Sequence, residues 1–179
     1  MLLEKELIYE CICGNRKAQK ELYEKYSPRL FTTCMRYMPT REDAEDVLIM
    51  GFTSIFAKLD TYKEEGSFEG WMKRIIVNTA IDALRQSNKQ YEVGDEYEKL
   101  EQMGTFKIKD MIYSKINAKD IIKQIQQLSA GYRVVFNLYA VEGYSYEEIS
   151  DRLGVSIGTI RSQIAKARKI LQKKLQDFK

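Results

Sequence analysis

The sequence predicts an all-α protein made of two small helical domains joined by a flexible linker, and three observations lead to this fold class. Only 2 prolines and 10 glycines occur in 179 residues, which favours long helices over a turn-rich sandwich or barrel. Apolar residues recur every three to four positions in both halves of the chain, the period of an amphipathic helix. Residues 91–116 lack that period and are acidic, which is typical of a linker. We therefore expect an N-terminal domain over residues 1–90 and a C-terminal domain over residues 117–179.

The N-terminal domain is predicted to contain four helices. Gly14 and Asn15 indicate the end of the first. Pro28 lies inside the second and leaves two interpretations open, one kinked helix or two shorter ones. Thr40 precedes the third, with Asp43 in the position that completes a capping box. The predicted helical ranges are 2–13, 16–38, 41–60 and 71–88, with a loop over 61–70.

The third predicted helix has an apolar arc that is wider than one packing stripe. Ala44, Val47 and Phe52 fall on one side of it, whereas Ile49 and Met50 extend the arc beyond that side. Two interpretations follow: the extra residues enlarge the core, or they form an exposed apolar docking surface.

The loop after this helix, together with the fourth helix, combines an aromatic ring, cations and an amide. These are the groups with which proteins bind single-stranded nucleic acid. The alternative is ordinary core packing, which is the commoner role of an aromatic residue beside a loop. The candidate residues are Tyr62, Lys63, Lys73, Arg74 and Asn78.

The C-terminal domain is predicted to be a four-helix unit that ends in a helix-turn-helix. Helices are expected over 118–128 and 130–142, with a further short helix over 107–116 inside the linker. Ser145 and Ser156 are N-cap candidates for the last two helices, and Gly154 stands where a helix end favours a left-handed residue.

The last predicted helix has one apolar stripe, formed by Ile160, Ile164, Ala167 and Leu171. Residues 121–179 carry 10 basic and 5 acidic side chains, as a phosphate-binding end requires. Such a helix could lie in a major groove; the alternative is an amphipathic hairpin packed on a core, with solvated lysines. The outward side carries Gly158, Ser162, Ala165, Lys166 and Lys169, flanked by Arg161 and Arg168.

Composition argues against an enzyme. The chain has no histidine, the commonest general base, and it has neither a nucleophile elbow nor a phosphate-binding glycine loop. Its 3 cysteines form no zinc motif and, without a signal peptide, suggest a reducing cytoplasm. We therefore expect no metal, no cofactor and no small-molecule substrate, and the lack of an apolar run of about 18 residues predicts no membrane insertion.

Three stretches together resemble the extracytoplasmic-function group of bacterial RNA polymerase sigma factors. They are DAEDVLIMGF at 43–52, SFEGWMKRIIVNTAIDALR at 67–85 and GYRVVFNLYAVEGYSYEEISDRLGVSIGTIRSQIAKAR at 131–168. The resemblance implies a non-catalytic initiation factor that binds core RNA polymerase and promoter DNA. It also implies an anti-sigma partner, commonly anchored in the membrane.

The resemblance also assigns residues to each role. Core polymerase would be contacted by Asp43, Glu45, Asp46, Leu48, Ile49 and Phe52, although the family often has a Gln-Glu pair where Ile49 and Met50 stand. The melted downstream (−10) element would be bound by Tyr62, Lys63, Lys73, Arg74 and Asn78. The upstream (−35) element would be bound by Ser156, Thr159, Arg161, Ser162, Ala165, Lys166 and Lys169.

A second class of protein stays open from the residues alone. A stand-alone helix-turn-helix regulator would use its N-terminal helices to sense a ligand or to dimerise. It should bind duplex DNA by itself at a palindrome, whereas a sigma factor needs core polymerase and protects two separated elements.

Overall fold

The computed structural model describes residues 3–87 and 118–176. The chain divides into two compact units, residues 1–89 and 90–179. Every regular element within the described ranges is helical, so the all-α prediction is confirmed. The linker and the short helix predicted over 107–116 lie outside the described residues.

The first unit is a bundle of three long helices with a short one packed against it. The helices are α1 (Glu4–Ile12), α2 (Arg16–Tyr37), α3 (Arg41–Ala57) and α4 (Phe68–Ser87). Helices α2, α3 and α4 pack against one another, and α1 packs on α2 and on a 3₁₀ turn at Leu59–Thr61. The core of the unit includes Leu22, Leu30, Ile55 and Ile76, all buried.

Helix α2 is continuous through Pro28. Proline removes one amide donor from the helix and its ring crowds the carbonyl four residues earlier, but buried side chains on both sides of it, such as Tyr26 and Leu30, hold the two halves against the core. At its start the side chain of Asn15 accepts hydrogen bonds from the amides of Lys17 (3.0 Å) and Ala18 (3.4 Å). The interpretation with two separate helices is therefore wrong.

The third and fourth helices differ from prediction at their ends. Helix α3 has the expected cap, since the Asp43 amide donates to Thr40 Oγ1 at 3.1 Å, but it ends at Ala57 and the 3₁₀ turn follows. Helix α4 begins at Phe68 because Ser67 Oγ caps it, accepting from the Gly70 amide at 3.1 Å. The segment between them is therefore 58–67, which includes the 3₁₀ turn, instead of the predicted 61–70.

The second unit contains four α-helices in its described part, α5 (Ala118–Gln126), α6 (Ala130–Phe136), α7 (Tyr146–Leu153) and α8 (Ile157–Gln176). The helix predicted over 130–142 is present, but its second half, Asn137–Val141, has π-helical instead of α-helical winding. Buried Asn137 donates through Nδ2 to the Arg133 carbonyl at 2.9 Å. Such local side-chain bonds compete with regular helix geometry.

The predicted helix-turn-helix geometry is present in α7 and α8. Ser145 and Glu148 form a reciprocal capping box, with bonds of 3.1 and 2.8 Å. Gly154 adopts φ = +71°, a left-handed conformation. Ser150 Oγ fixes the turn by donating to the Val155 carbonyl at 2.8 Å.

The apolar stripe of α8 is buried as predicted. Ile160 and Ile164 are enclosed in the unit, and Ala167 and Leu171 pack in one cluster with Ile125 of α5 and with Leu128 just beyond it. Burial of this stripe fixes which side of α8 is left exposed. Within residues 3–87 and 118–176, no helix combines the length and apolarity that crossing a bilayer requires.

Candidate nucleic-acid interfaces and docking helix

The outward side of α8 presents most of the residues predicted to contact duplex DNA. Arg161, Ser162, Ala165 and Lys169 are exposed, and Lys166 is half-buried. Ser162, Ala165 and Lys169 follow one another at helical spacings of three and four residues, so they lie on one side of α8. This side is opposite the buried stripe, as the sequence predicted.

The two remaining candidates at the start of α8 form its N-cap. Ser156 Oγ accepts a hydrogen bond from the Thr159 amide at 3.1 Å, and the two side-chain hydroxyls are 2.9 Å apart. These two side chains therefore stabilise the start of α8, and their role in DNA binding stays a prediction.

Four side chains form a stack beside the exposed side of α8. The guanidinium of Arg161 lies over the ring of Tyr146, 5.2 Å from its centroid. The Tyr146 ring is parallel to that of Tyr139, with centroids 4.9 Å apart and an interplanar angle of 10°. The guanidinium of Arg168 lies over Tyr139 at 5.5 Å. The stack joins the π turn, the first residue of α7 and two positions of α8.

The hydroxyl groups of the two tyrosines also interact. A hydrogen bond with Tyr139, together with partial burial, raises the pKa of Tyr146 above its ordinary value, while the two arginines oppose the shift. Tyr146 is therefore a neutral ring at physiological pH, and its face attracts a cation through the ring quadrupole. Neither tyrosine was among the residues predicted to contact DNA, since nothing in the local pattern indicates that positions 139 and 146 meet.

In the first unit, the aromatic ring predicted to bind single-stranded nucleic acid is part of a cluster. Tyr62 packs against Phe68 (centroids 5.1 Å apart) and Trp71 (5.5 Å). Its hydroxyl donates to the Gly66 carbonyl at 2.9 Å. Tyr62 is half-buried, so one portion of the ring packs and another stays accessible, and its role in binding nucleic acid stays a prediction.

Helix α4 carries the amide and cations predicted for the same site. Trp71, Arg74 and Asn78 follow at i, i+3 and i+7, so they share one side of the helix. Because Tyr62 contacts Trp71, the loop ring lies at the end of this row. Arg74, Asn78 and Lys63 are exposed and Lys73 is half-buried. Trp71 was missed as a candidate, although its spacing from Arg74 and Asn78 is visible in the sequence.

The loop that carries Tyr62 has an unusual backbone. Glu64 adopts φ = +59° and Gly66 φ = +85°. A positive φ is uncommon for a residue other than glycine. The Glu64 carboxylate accepts a hydrogen bond from Lys5 of α1, which links the loop to the first helix of the bundle.

Helix α3 separates the residues predicted to contact a large partner into two groups. Leu48 and Phe52 are only 6% and 3% exposed, and Phe52 packs against Tyr23 with ring centroids 4.6 Å apart. Both side chains belong to the inner side of α3 with Val47 and Ile55. The expectation that they contact core polymerase is therefore wrong, because the surface does not present them.

The other group lies on the outer side of α3. Ile49 and Met50 are 60% and 46% exposed, so the interpretation in which they enlarge the core is wrong. Asp46, Ile49, Met50 and Thr53 are spaced as neighbours on one helical side. Large exposed apolar residues beside acidic ones are typical of a protein-binding surface.

Two of the acidic residues on α3 have local partners. The Asp43 carboxylate accepts from the Thr40 hydroxyl at 2.6 Å, and Glu45 forms an exposed ion pair with Arg41 at 2.8 Å. Exposed i, i+4 pairs contribute little stability, so Glu45 can exchange this partner for another cation. Among the residues that the structure describes, no cluster of three His, Cys, Asp or Glu side chains could hold a metal ion.

Comparison with known proteins matches both units to parts of one protein family. A family described as "Sigma-70 region 2" matches residues 22–90, and one described as "Sigma-70, region 4" matches residues 118–171. The ECF RNA polymerase sigma-E factor of Escherichia coli (strain K12) is 28% identical over 183 residues, covering 98% of this chain and 95% of that protein. The protein of the same name from Haemophilus influenzae is 26% identical, covering 98% and 96%. The chain belongs to the sigma-70 family, in its extracytoplasmic-function group.

Two solved structures share the fold. One, the sigma factor RpoE in complex with the anti-sigma factor NepR from Bartonella quintana, has a TM-score of 0.54 at 24% identity and covers 88% of this chain and 96% of its own. Another, CnrH in complex with the cytosolic domain of CnrY, has a TM-score of 0.50 at 21% identity and covers 97% of each chain. In this sigma factor the region 2 match spans α2 to α4, and the region 4 match spans α5 to most of α8.

Proposed function

We propose that this sigma factor binds core RNA polymerase and directs it to promoters through two separate DNA surfaces. The row Trp71, Arg74 and Asn78, with Tyr62 beside it, binds the melted downstream element. The exposed side of α8 binds the duplex upstream element. The observation that carries the proposal is that each compact unit presents its own surface suited to nucleic acid, one of them to single strands and one to a major groove.

The first surface has the chemistry needed to hold an unstacked base. Taking a base out of the duplex costs a few kcal/mol, which a pocket recovers through stacking and hydrogen bonds. Tyr62 and Trp71 supply ring faces, and Asn78 offers both an amide donor and an acceptor. Lys63, Lys73 and Arg74 are close in sequence to these residues and would neutralise phosphates.

Docking on polymerase is assigned to the outer side of α3. Asp43, Glu45 and Asp46 would meet basic side chains, while Ile49 and Met50 would be buried against an apolar part of the partner. Leu48 and Phe52 then act indirectly, by holding α3 on the bundle. A cytoplasmic location and a non-enzymatic role follow from such a partner.

Silencing by an anti-sigma protein also belongs to this proposal. In one matched structure the sigma factor RpoE is in complex with such a protein, the anti-sigma factor NepR. An inhibitor that covers α3 or α8 would block docking or promoter contact. A membrane-anchored inhibitor would hold the inactive sigma factor at the cell envelope until it is released.

The test is transcription with purified core polymerase on fragments of the source genome, followed by footprinting. We expect protection of two separated elements that depends on core polymerase. Arg161→Ala combined with Lys166→Ala should abolish transcription and keep polymerase binding, since a good base contact contributes about 1–3 kcal/mol of discrimination. Arg16→Ala with Lys17→Ala, two exposed cations of α2, is the charge-matched control and should leave transcription unchanged.

The downstream surface needs a separate readout. Asn78→Ala should slow promoter opening, followed by permanganate reactivity of unpaired thymines, more than it weakens closed-complex binding. Equal effects on both steps would contradict the assignment of Asn78 to base capture. A stand-alone helix-turn-helix regulator would be favoured instead if the chain alone protected a single palindromic site and did not bind core polymerase.

A further inference from the structure

The stack beside α8 gives one arginine of the DNA-binding surface a fixed environment. Arg161 is exposed, yet its guanidinium lies over Tyr146. Tyr146 in turn is held by its parallel contact with Tyr139, a residue of the π turn rather than of the helix-turn-helix. The position of the guanidinium is thus set by residues outside α8.

Such a contact matters because an arginine side chain is long and samples many rotamers. Both arginine and lysine lose considerable side-chain entropy on ordering, but a planar guanidinium that is already oriented loses less for each hydrogen bond that it forms. A ring under one face leaves the donors at the guanidinium edge free to point away from the protein. This is the arrangement that a bidentate contact requires.

The two arginines of the stack lie at different depths along α8. Arg161 is the fifth residue of the helix and Arg168 the twelfth. In helix-turn-helix proteins the N-terminal residues of the recognition helix contact base edges. Arg161 therefore falls in the base-contacting part, whereas Arg168 falls beyond it and completes the stack from the other side of Tyr139.

We propose that Tyr146 and Tyr139 are positioning residues that hold Arg161 ready to contact a guanine of the upstream element. Guanine follows from the chemistry, because its O6 and N7 acceptors match the guanidinium donors in a bidentate pair. The inference rests on the proposed function, since it requires α8 to enter the major groove. Beyond that function, the inference specifies guanine as the base that Arg161 selects, and Tyr146 and Tyr139 as the residues that orient Arg161.

The test is selection of upstream elements from a randomised promoter library by the full chain bound to core polymerase. The wild type should require guanine at one position, and Arg161→Ala should lose that requirement. Tyr146→Leu, which removes the ring, should lower the guanine preference at that position alone by about two- to fivefold, the range expected for an exposed cation–π contact. Tyr146→Phe, which keeps the ring, should restore it.

A second pair on the same unit provides the control. Arg152 lies over the ring of Tyr144 at 4.6 Å, but this arginine belongs to α7. Tyr144→Leu should therefore leave every base preference unchanged. Arg161→Lys keeps the charge at an exposed position and loses the planar fork, so it should lower the guanine preference even if Tyr146→Leu does not fold, as judged by circular dichroism.

The outcomes separate the inference from the function on which it rests. If the wild type selects an upstream element but Tyr146→Leu keeps its full guanine preference, only the positioning role is overturned. The same holds if Tyr146→Leu weakens all positions equally, since that is a general loss of structure. If Arg161→Lys keeps its full guanine preference, the bidentate guanine contact of Arg161 is overturned, and the positioning role with it. If the wild type with core polymerase selects no sequence, the proposed function is overturned and the inference with it.

Discussion

A β-carbon at Gly51 would overlap Cδ1 of Ile76. Gly51 is in α3 and Ile76 is in α4, and both are buried. The absence of a side chain at position 51 therefore allows these two helices to approach closely in the middle of the bundle. This approach bears on the proposed function because it fixes α4, which carries Arg74 and Asn78, against α3, which carries the proposed docking surface.

The first prediction is that Gly51→Ala destabilises the first unit. Helix propensity alone would favour alanine by about 1 kcal/mol, but overpacking a dense core costs about 1–3 kcal/mol. We expect a net loss of about 1 kcal/mol in the free energy of unfolding. Urea titration followed by the fluorescence of Trp71 measures it, because the chain has 1 tryptophan and it lies in α4.

A double-mutant cycle provides the control for this prediction. Ile76→Val removes the methyl group that occupies the space, and alone it should cost about 0.5–1.5 kcal/mol. Combined with Gly51→Ala it should cost less than the sum of the two single changes. Strict additivity would mean that the two residues do not compete for the same space.

The second prediction concerns the exposed apolar residues of α3. Ile49→Ser with Met50→Ser should weaken binding to core polymerase by at least about tenfold, because burying one aliphatic side chain contributes about 1.5–3 kcal/mol. Stability should hardly change, since exposed substitutions usually alter it by less than about 0.5 kcal/mol. Fluorescence anisotropy of the labelled chain with core polymerase provides the affinity.

A matched control exists on α1 of the same unit. Ile12 is 47% exposed, close to the value for Met50, and it carries no proposed contact. Ile12→Ser should leave the affinity unchanged. An equal loss for both variants would indicate nonspecific hydrophobic association rather than docking through α3.

The third prediction concerns the turn of the helix-turn-helix. Gly154→Ala should destabilise the second unit by about 1–2 kcal/mol, because a β-carbon is unfavourable at a left-handed φ. Gly154→Asn should cost less, since asparagine tolerates this conformation. Gly158 is the comparison: it lies exposed in α8, and a β-carbon there would meet only Ser156 Oγ at 3.7 Å. Gly158→Ala should be neutral or stabilising in thermal melts followed by circular dichroism.

The fourth prediction is a loss of stability at alkaline pH. Burial raises the pKa of the Cys34 thiol from 9.0 to about 12. The unfolded chain therefore releases this proton at a lower pH than the folded chain does. The stabilising effect is complete below pH 9 and is lost as pH rises toward 12, by about 1 kcal/mol for each pH unit over that range.

Urea titrations at pH 8.5 and pH 10 with the Trp71 signal measure this effect. Cys34→Ala should reduce the difference between the two pH values, whatever it does to stability itself. Burial also raises the pKa of Cys11, to about 11, so part of the difference should remain in the variant. An unchanged difference would exclude Cys34 as the titrating group.

Short-range patterns in the sequence were sufficient for most of the helices and their caps. The stripe Ile160, Ile164 and Ala167 fixed the buried side of α8, and serines at 145 and 156 fixed two helix starts. Each of these signals depends on residues within a few positions of one another. For the same reason the exposed side of α8 could be predicted before any tertiary structure was known.

Features that depend on distant residues could not be predicted in this way. Leu48 and Phe52 were assigned to a docking surface by family resemblance, yet packing against Tyr23 and the rest of the bundle places them inside. The contact between Tyr139 and Tyr146 depends on the path of the chain between them. The early start of α4 does not depend on distant residues. Ser67 is a recognisable N-cap in the sequence, but the apolar pattern alone placed the start of the helix at residue 71.

The π turn at Asn137–Val141 has a consequence for how this protein could diversify. A turn with one residue more than its neighbours offsets the angular phase of the backbone at that point. Loss of a single codon there would restore ordinary winding and rotate the platform on which Tyr139 sits. Relatives with one residue fewer at this place would thus differ in the orientation of Arg161, without any change in the helix that enters the groove.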